Sequence, residues 1–524
     1  MNYSSKTVHW LWLQKYEKLL ICATTLLFFS VGFFLISHHE IWRDEAQPWV
    51  LARDSKTFLE HFHQLRYATS PMLWHSILFV LTRFTSNPFF GNILNLVIAT
   101  SAAFVFLRFS PFPLILRVLF VLGYFPLYEY GIIQRPYALG MLLWFLLSVV
   151  YQKRFQRFDW VCLILILFAN VIGHTMVIAF AVSLMLLVEY LARQKSLNSI
   201  LPPRKAFLNF AMLILSLLLS ALFLTDKPED FYFPAGGKTS FDLRHVFRSV
   251  VRPIFMSFVP IPPWTMTFWN QSFLPNNAFV SLLICMLLSL MLIPYLIYLR
   301  RKPYLFFTYG LCVCTLGLFA YTIHTGYLRH WGMYYLVFVG VMWWDSEETT
   351  KSSEFLSLDT FEKFFDRLKV PLLSVLFSIH AVAAAIAGIQ EVRYSFSGSK
   401  QVVEYIRKHP EYHNAIFVAE MDLAMTPILA YVDNKFFYPR GQRFGTYTIW
   451  DRWRRSDVPL EDLIWFSVNL EKDYGVPTLI LLNSDPSRVD WFRERTEKVA
   501  EFVESVVSNE KYFLFKVRRD LPIP

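Results

Sequence analysis

PMLWHSILFVLTRF, residues 71–84, decides how the rest of the chain is threaded. The stretch is apolar but carries His75 and Arg83. At 1.5 Å per helical residue it is too short to cross a hydrocarbon core about 30 Å thick. Longer apolar runs flank it at 18–37, 88–107, 112–128, 136–151, 159–174, 176–192, 206–225, 276–299, 303–323, 327–344 and 370–390. Each covers the core, the shorter ones marginally, so the chain is predicted to be an α-helical polytopic membrane protein of about eleven spans. Composition agrees. Of 524 residues, 55% are hydrophobic, 18% aromatic and only 17% charged, with mean hydropathy +0.38. A soluble protein of this length could not bury so much apolar surface.

Basic residues settle whether 71–84 crosses. Lys6, Lys15 and Lys18 place the amino terminus in the cytoplasm. Lys153/Arg154/Arg157, Arg193/Lys195/Arg204/Lys205 and Arg300/Arg301/Lys302 join it there only if 71–84 grazes the interface. Arg108 and Arg117 then fall on the same side. The net charge of +10 comes largely from these clusters, which argues against a nucleic-acid partner. The run at 18–37 reads as a retained helix, since no cleavage site is evident. All five cysteines lie inside apolar runs, so no disulfide framework is expected.

This threading gives one outer face to the first loop (38–87), a short loop near 129–135, the turns at 174–175 and 324–329, and a long loop (226–275). The loop 345–369 is a cytoplasmic connector. Residues 1–390 form the membrane module and 391–524 a non-cytoplasmic α/β domain. That domain alternates helical stretches (400–408, 421–430, 487–505) with strand-like runs (415–420, 478–483, 512–517), which predicts a mostly parallel sheet. It contains no GxGxxG and no P-loop. GGK at 236–238 also lacks the P-loop pattern and reads as a turn.

Polar chemistry collects on the outer face. Asp44 and Glu45 directly follow the first span, where partial desolvation suits a general base. The alternative is an interfacial helix anchored by Trp42 and Trp49 with solvated charges. Glu129 and Arg135 flank the second outer loop, and Pro136 suits the first turn of the next helix. An arginine on the positive-poor side needs an anionic partner: Glu129, Asp44 or a substrate phosphate. A structural bridge between loops is the equal alternative. His174, one turn after Asn170, and the pair Arg329/His330 occupy two further turns, where helix-end hydrogen bonding is the competing role. His38 and His39 add to the first loop, but no HxH or HExxH spacing appears, so no metal site is assigned. Phe231, Tyr232, Phe233, Trp264 and Trp269 make the long loop either an interfacial anchor or a lid over a lipid-linked substrate. Asn95 and Asn170 read as helix–helix hydrogen-bonding residues.

WRDEAQPWVLARD (42–54), LRYATSPMLWHSILF (65–79) and IIQRPYALGMLLWF (132–145) together resemble the amino-terminal module of the GT-C integral-membrane glycosyltransferases. The pattern is similar to the aminoarabinose transferases, protein O-mannosyltransferases and rhizobial lipopolysaccharide galacturonic-acid transferases. The likeness covers roughly 18–192, with weaker agreement to about 344. It implies an inverting transfer from a polyprenyl-phosphate-linked sugar to a glycan, lipid or protein acceptor, outside a bacterial inner membrane. It implies Asp44 as general base with Glu45 beside it, and Arg135 and Arg329 on the lipid phosphate. Tyr137, Glu129, His174 and His330 complete the candidate substrate-binding set. No cofactor is assigned, and a divalent cation is compatible. The sequence departs from the pattern at Thr69-Ser70-Pro71, where many relatives have His-Pro-Pro, and at Pro136-Tyr137, where several have an acid. The departures put a second catalytic carboxylate in question, a role open to Glu129. A lipid-sugar flippase would need ionisable groups or broken helices at mid-membrane, and the spans are nearly uncharged there. A non-catalytic assembly protein is the remaining alternative.

Overall fold

The computed structural model describes residues 3–68, 70–232, 238, 240–271, 294–348 and 359–518. Most of the expected span 276–299 lies outside the described residues, as do Thr69, Phe233, Gly236 and Gly237. The chain opens with α1 (Tyr3–His38), α2 (Arg43–Asp54), α3 (Phe58–Leu65), α4 (Met72–Thr82), α5 (Phe89–Phe109) and α6 (Leu114–Val121). A π-helical turn, Tyr124–Glu129, follows, then α7 (Tyr137–Tyr151), α8 (Phe158–Ala169) and α9 (Gly173–Ala192). Further helices are Pro203–Thr225, Pro303–Thr322, Leu328–Glu347 and Asp359–Arg393. Pro203 and Pro303 occupy first turns, where the missing N–H costs nothing. Among the described residues six helices are long and apolar enough to cross a membrane, and α4, α7 and α8 are shorter apolar helices. The chain is an integral, polytopic α-helical membrane protein.

One expected span takes another form. The run 112–128 breaks into α6 and the π-helical turn, with a bend at Gly123 between them. Helix Leu328–Glu347 is the central post of the bundle, with nearly every side chain buried against protein. Gly332 admits the Tyr130 hydroxyl and the Phe125 ring where any Cβ would clash.

α4 has both ends tied to the same end of the bundle. Leu73 N–H donates to Asn170 O at 3.2 Å. Ten residues later, Arg83 donates to the carbonyls of Ala52 and Ser55 at 2.7 and 2.9 Å. A crossing helix could not do this, so α4 does not traverse the bundle.

The opposite end holds the basic clusters, each paired. Arg154 meets Glu189 at 2.6 Å and Glu348 at 3.0 Å, and Arg193 meets Glu189 at 2.7 Å. Arg301 and Lys302 share Asp345 at 2.9 and 3.0 Å. Arg117 joins Glu17 of α1 at 2.6 Å. These pairs put loops from distant parts of the chain at one level.

The carboxy-terminal α/β unit carries a six-stranded sheet ordered β3-β2-β1-β4-β6-β5. Its strands are β1 (Ile416–Ala419), β2 (Lys435–Tyr438), β3 (Arg443–Phe444), β4 (Thr478–Leu482), β5 (Thr496–Phe502) and β6 (Tyr512–Val517). β1 pairs parallel with β2 and β4, while β2–β3, β4–β6 and β5–β6 are antiparallel. The sheet is therefore mixed rather than mostly parallel. Helices Asp422–Leu429 and Leu460–Tyr474 supply the crossovers that parallel pairing needs, whereas short connections turn β3 and β6 antiparallel. The second of these helices ends at Gly475, whose φ of +65° suits a glycine C-cap. The stretch 487–505, expected as one helix, is a short helix Asp490–Arg495 followed by β5. TEKVAEF, the β5 sequence, pairs with β6 through a bulge that resets its alternation.

This unit sits on the α2–α4 end. Gln47 and Thr448 exchange two hydrogen bonds, at 2.8 and 3.0 Å. Arg53 donates to Leu429 O at 2.9 Å. The long loop joins in: Tyr67 donates to Asp230 at 2.9 Å, and Tyr232 N–H to Trp450 O at 3.1 Å.

Arg154→Ala is expected to destabilise the protein by about 2–4 kcal/mol, because it leaves the buried Glu189 with only the part-exposed Arg193 as its cation. Denaturation in detergent measures this; a loss under about 1 kcal/mol would mean the network is as weak as an exposed pair.

Candidate active site

α2 begins where the first membrane helix ends, and its start is fixed by carboxylates. Glu45 reaches back to accept from the Trp42 N–H at 3.1 Å, half of a capping box. The same oxygen accepts from His39 Nε2 at 2.9 Å. The other Glu45 oxygen accepts from the Gln134 N–H. His39 Nδ1 donates to Glu391 at 2.8 Å, and Tyr128 donates to the second Glu391 oxygen at 2.7 Å. All four side chains are buried. Burial disfavours a charged His39, but the two bracketing carboxylates outweigh it and raise its pKa well above the ordinary value.

Glu45 is thus consumed by its neighbours, while Asp44 faces the other way. The Asp44 side chain is 26% exposed and accepts from Arg329 Nη2 at 3.0 Å. Arg43 Nε stands 3.7 Å from the other oxygen. Burial pushes the Asp44 pKa up, but Arg135, Arg329 and Arg43 together hold it below the ordinary aspartate value. Arg135 does not take the carboxylate. It donates to the main-chain carbonyl of Asp44, joining the second outer loop to the first.

The second loop is held by Asn95, whose amide donates to the carbonyls of Tyr130 and Gly131 at 2.9 and 3.2 Å. Asn95 therefore binds a helix to a loop, not helix to helix. Asn170 does bridge helices: it donates to Ser216 at 3.2 Å and accepts from Ser220 at 2.9 Å.

Arg329 is 6% exposed in its side chain and sits among Trp42, Trp269 and Tyr327, with ring centroids at 5.2, 5.4 and 4.9 Å. Trp269 comes from the long loop and donates to Glu129 at 3.2 Å. Tyr124 donates to the same Glu129 oxygen at 3.0 Å, and the second oxygen is buried without a partner. Tyr137 stacks on Tyr130 and meets His330 edge-on at 5.8 Å. His330 lies 4.9 Å, ring to ring, from both His174 and His324. Its Nδ1 accepts from the Tyr327 N–H at 2.8 Å.

The eight residues singled out from the sequence thus share one end of the bundle. Arg43, His39, Glu391, Gln134 and His324 belong there too and were not assigned roles. A buried acid closing the last membrane helix was the available signal for Glu391. His324 faces Asp44 electrostatically, and burial, then Arg329, lowers its pKa.

Several donors here are buried and unsatisfied: Nε of Arg43, Arg135 and Arg329, the Tyr137 hydroxyl and His174 Nδ1. Unpaired buried donors are costly, and their convergence from separate loops marks a place for an anionic or polyoxygenated ligand. Among the described residues no cluster of three or more metal-ligating side chains could hold a metal ion.

The site belongs to a polytopic membrane protein with a carboxy-terminal α/β unit. Two crystal structures of ArnT from Cupriavidus metallidurans are similar to the chain over nearly its whole length. The form bound to undecaprenyl phosphate has a TM-score of 0.47 and 11% identity, covering 97% of this chain and 99% of that one. The apo form has a TM-score of 0.45 and 11% identity, covering 96% and 98%. No family model and no curated protein sequence matches the chain.

His39 contributes stability that is complete below its unfolded pKa near 6.5 and is lost as pH rises through the higher folded value. The Tm gap between wild type and His39→Gln is expected to be widest below pH about 6.5 and to narrow in alkali. A gap independent of pH, by scanning calorimetry, would show that the charge on His39 is not what binds the three elements.

Proposed function

We propose that this protein is an inverting glycosyltransferase that uses a polyprenyl-phosphate-linked sugar. The observation carrying the reading is that two arginines from separate loops converge on Asp44 and keep buried, unsatisfied N–H groups beside it. A phosphate satisfies such donors, and guanidinium groups suit it geometrically.

In the proposed reaction the acceptor hydroxyl gives its proton to the Asp44 carboxylate as its oxygen attacks the anomeric carbon. The bond from that carbon to the phosphate oxygen breaks, and the phosphate leaves with the electron pair. Arg135 and Arg329 neutralise the charge that develops there. Tyr137 and His174 are further donors to the donor headgroup, and Glu129 holds Trp269 over the site. Glu45 positions Asp44 by fixing the first turn of α2. Attack from the side opposite the leaving group inverts the anomeric centre. The polar groups gather at one end of the bundle, as a reaction on one membrane face requires.

Residues 1–390 would carry this chemistry and 391–524 would cover it from outside a bacterial inner membrane, with the amino terminus in the cytoplasm. The acceptor is a glycan, lipid or protein hydroxyl.

Asp44→Asn is expected to lower transfer by about 10²–10⁴-fold with normal expression and melting. Mass analysis of glycolipids from cells carrying wild type or variant reads this out, and undiminished product would remove Asp44 as base. Arg135→Ala is expected to weaken binding of a short-chain polyprenyl phosphate by about tenfold or more. Unchanged affinity would make Arg135 a bridge between loops only.

A further inference from the structure

We infer that Glu510, from the carboxy-terminal α/β unit, is a positioning residue for Asp44 and makes that unit an obligatory part of the active site. The inference rests on Asp44 being the base proposed above. Glu510 is fully buried. Its Oε1 accepts from the main-chain N–H of Arg43 at 2.9 Å. Arg43 is the first residue of α2 and Asp44 the second, so the contact is one peptide from the carboxylate that does the chemistry. The first N–H groups of a helix have no partner within it and favour an anion. In α2 two such donors are taken by carboxylates: Trp42 N–H by Glu45, from the helix itself, and Arg43 N–H by Glu510, from the far end of the chain.

Glu510 is itself rigidly mounted. Its N–H donates to Val507 O at 2.9 Å, and its carbonyl accepts from Gly398 N–H at 3.1 Å. Gly398 is needed there, because a Cβ would stand 2.9 Å from the Glu510 carbonyl oxygen. The strand of contacts continues through Val506 N–H to Ser395 O at 2.9 Å and Val507 N–H to Phe396 O at 3.1 Å. Phe396 N–H in turn donates to Glu40 at 2.6 Å, just before α2. The α/β unit thus grips both sides of the turn that aims Asp44.

The charged and titratable groups facing Glu510 are Arg43 and Asp44 from α2 and Tyr512 from β6, with the Ser397 hydroxyl beside them. Burial pushes the Glu510 pKa up, Ser397 and the Arg43 N–H oppose it, and Asp44 adds to the rise, leaving it at about 7. A carboxyl raised on docking binds a proton on docking. The Arg43 N–H favours the ionised form, but burial outweighs it, so the stability that the buried Glu510 contributes is complete below the ordinary 4.5 and is lost as pH climbs towards about 7.

The test compares Glu510→Ala and Glu510→Gln by hydrogen exchange and by transfer from polyprenyl-phosphate-linked sugars extracted from the host membranes. Glutamine keeps an acceptor oxygen for Arg43 N–H; alanine does not. In E510A, exchange at 42–46 is expected to rise about tenfold or more while β1, β4 and β6 stay protected. kcat is expected to fall about 10²-fold with little change in KM for the donor, since misplacement of a base by about 1 Å costs that much. E510Q is expected to recover most of both and to abolish the pH slope of protection at 42–46. The inference is overturned if E510A exchanges and turns over like wild type. It is equally overturned if E510Q is as inactive as E510A, since Glu510 would then handle a proton itself. Hydrogen exchange needs no substrate, so the tie is judged separately from the reaction. Retained transfer in Asp44→Asn would sink the base assignment while leaving the exchange result to stand.

Discussion

The bracket of His39 between Glu45 and Glu391 is the constraint on which the site depends. It joins the end of the first membrane helix, the first turn of α2 and the end of the last membrane helix. Between two ionised carboxylates the imidazole donates from both nitrogens, which is the charged form that the raised pKa of His39 favours. Burial alone would expel that charge, and only two carboxylates at hydrogen-bonding distance retain it. Glu45 therefore cannot share the task of Asp44, although the two are adjacent in sequence. One points into the bracket and fixes the helix start; the other is left at the opening with three arginines. The same element supplies both the anchor and the exposed group, which keeps the exposed group in register with the membrane helices.

The membrane architecture was legible because hydrophobic length and the sidedness of lysine and arginine are strong physical signals. Residues 71–84 illustrate it: too short to span, flanked by clusters that demand even parity, and found with both ends at one level. The run 112–128 was less legible. Apolar length does not reveal that Gly123 bends it and that a π-helical turn carries Glu129 inward. The α/β unit was read through its buried strands, since IFVA and TLILL are continuous apolar runs. β5 was missed because TEKVAEF has too little apolar periodicity to separate strand from helix, and only its pairing with β6 decides. Arg135 was identifiable as a cation out of place between two apolar runs, and Asp44 and Arg329 as charged groups at the ends of such runs. Which arginine takes the carboxylate was not, because that turns on side-chain reach: Arg329 arrives from a helix end and Arg135 spends its donor on a carbonyl. Glu510 carried no local signal at all; an acid in a surface-like SNEKY segment gains meaning only through docking.

The two ends of the bundle use charge differently. At the end of Arg154, Arg301 and Lys302, each cation meets a carboxylate within 3.0 Å, and Arg301 Nε is left buried without a partner. At the end of Asp44, three guanidiniums surround a carboxylate that is left partly exposed, and their Nε groups are buried without partners. The ends differ in exposure: the Arg154–Glu189 pair is buried throughout, whereas the Asp44 carboxylate stays open to an incoming group.

The three arginines also bear on how Asp44 could serve as a base. In the resting arrangement the arginines hold its pKa below the ordinary value, so it is a weak proton acceptor. Those same guanidiniums are the groups a donor phosphate would engage. A phosphate that draws Arg329 and Arg135 towards itself removes the charges that depress Asp44, while the burial that raises its pKa remains. The carboxylate would become more basic as the leaving group becomes better neutralised. Base strength and leaving-group stabilisation would then be coupled through shared arginines, and Asp44 would be suited to accept a proton only once the donor is in place. A site with the phosphate cations placed apart from the base would lack this ordering and would leave a basic carboxylate open to water in the resting state.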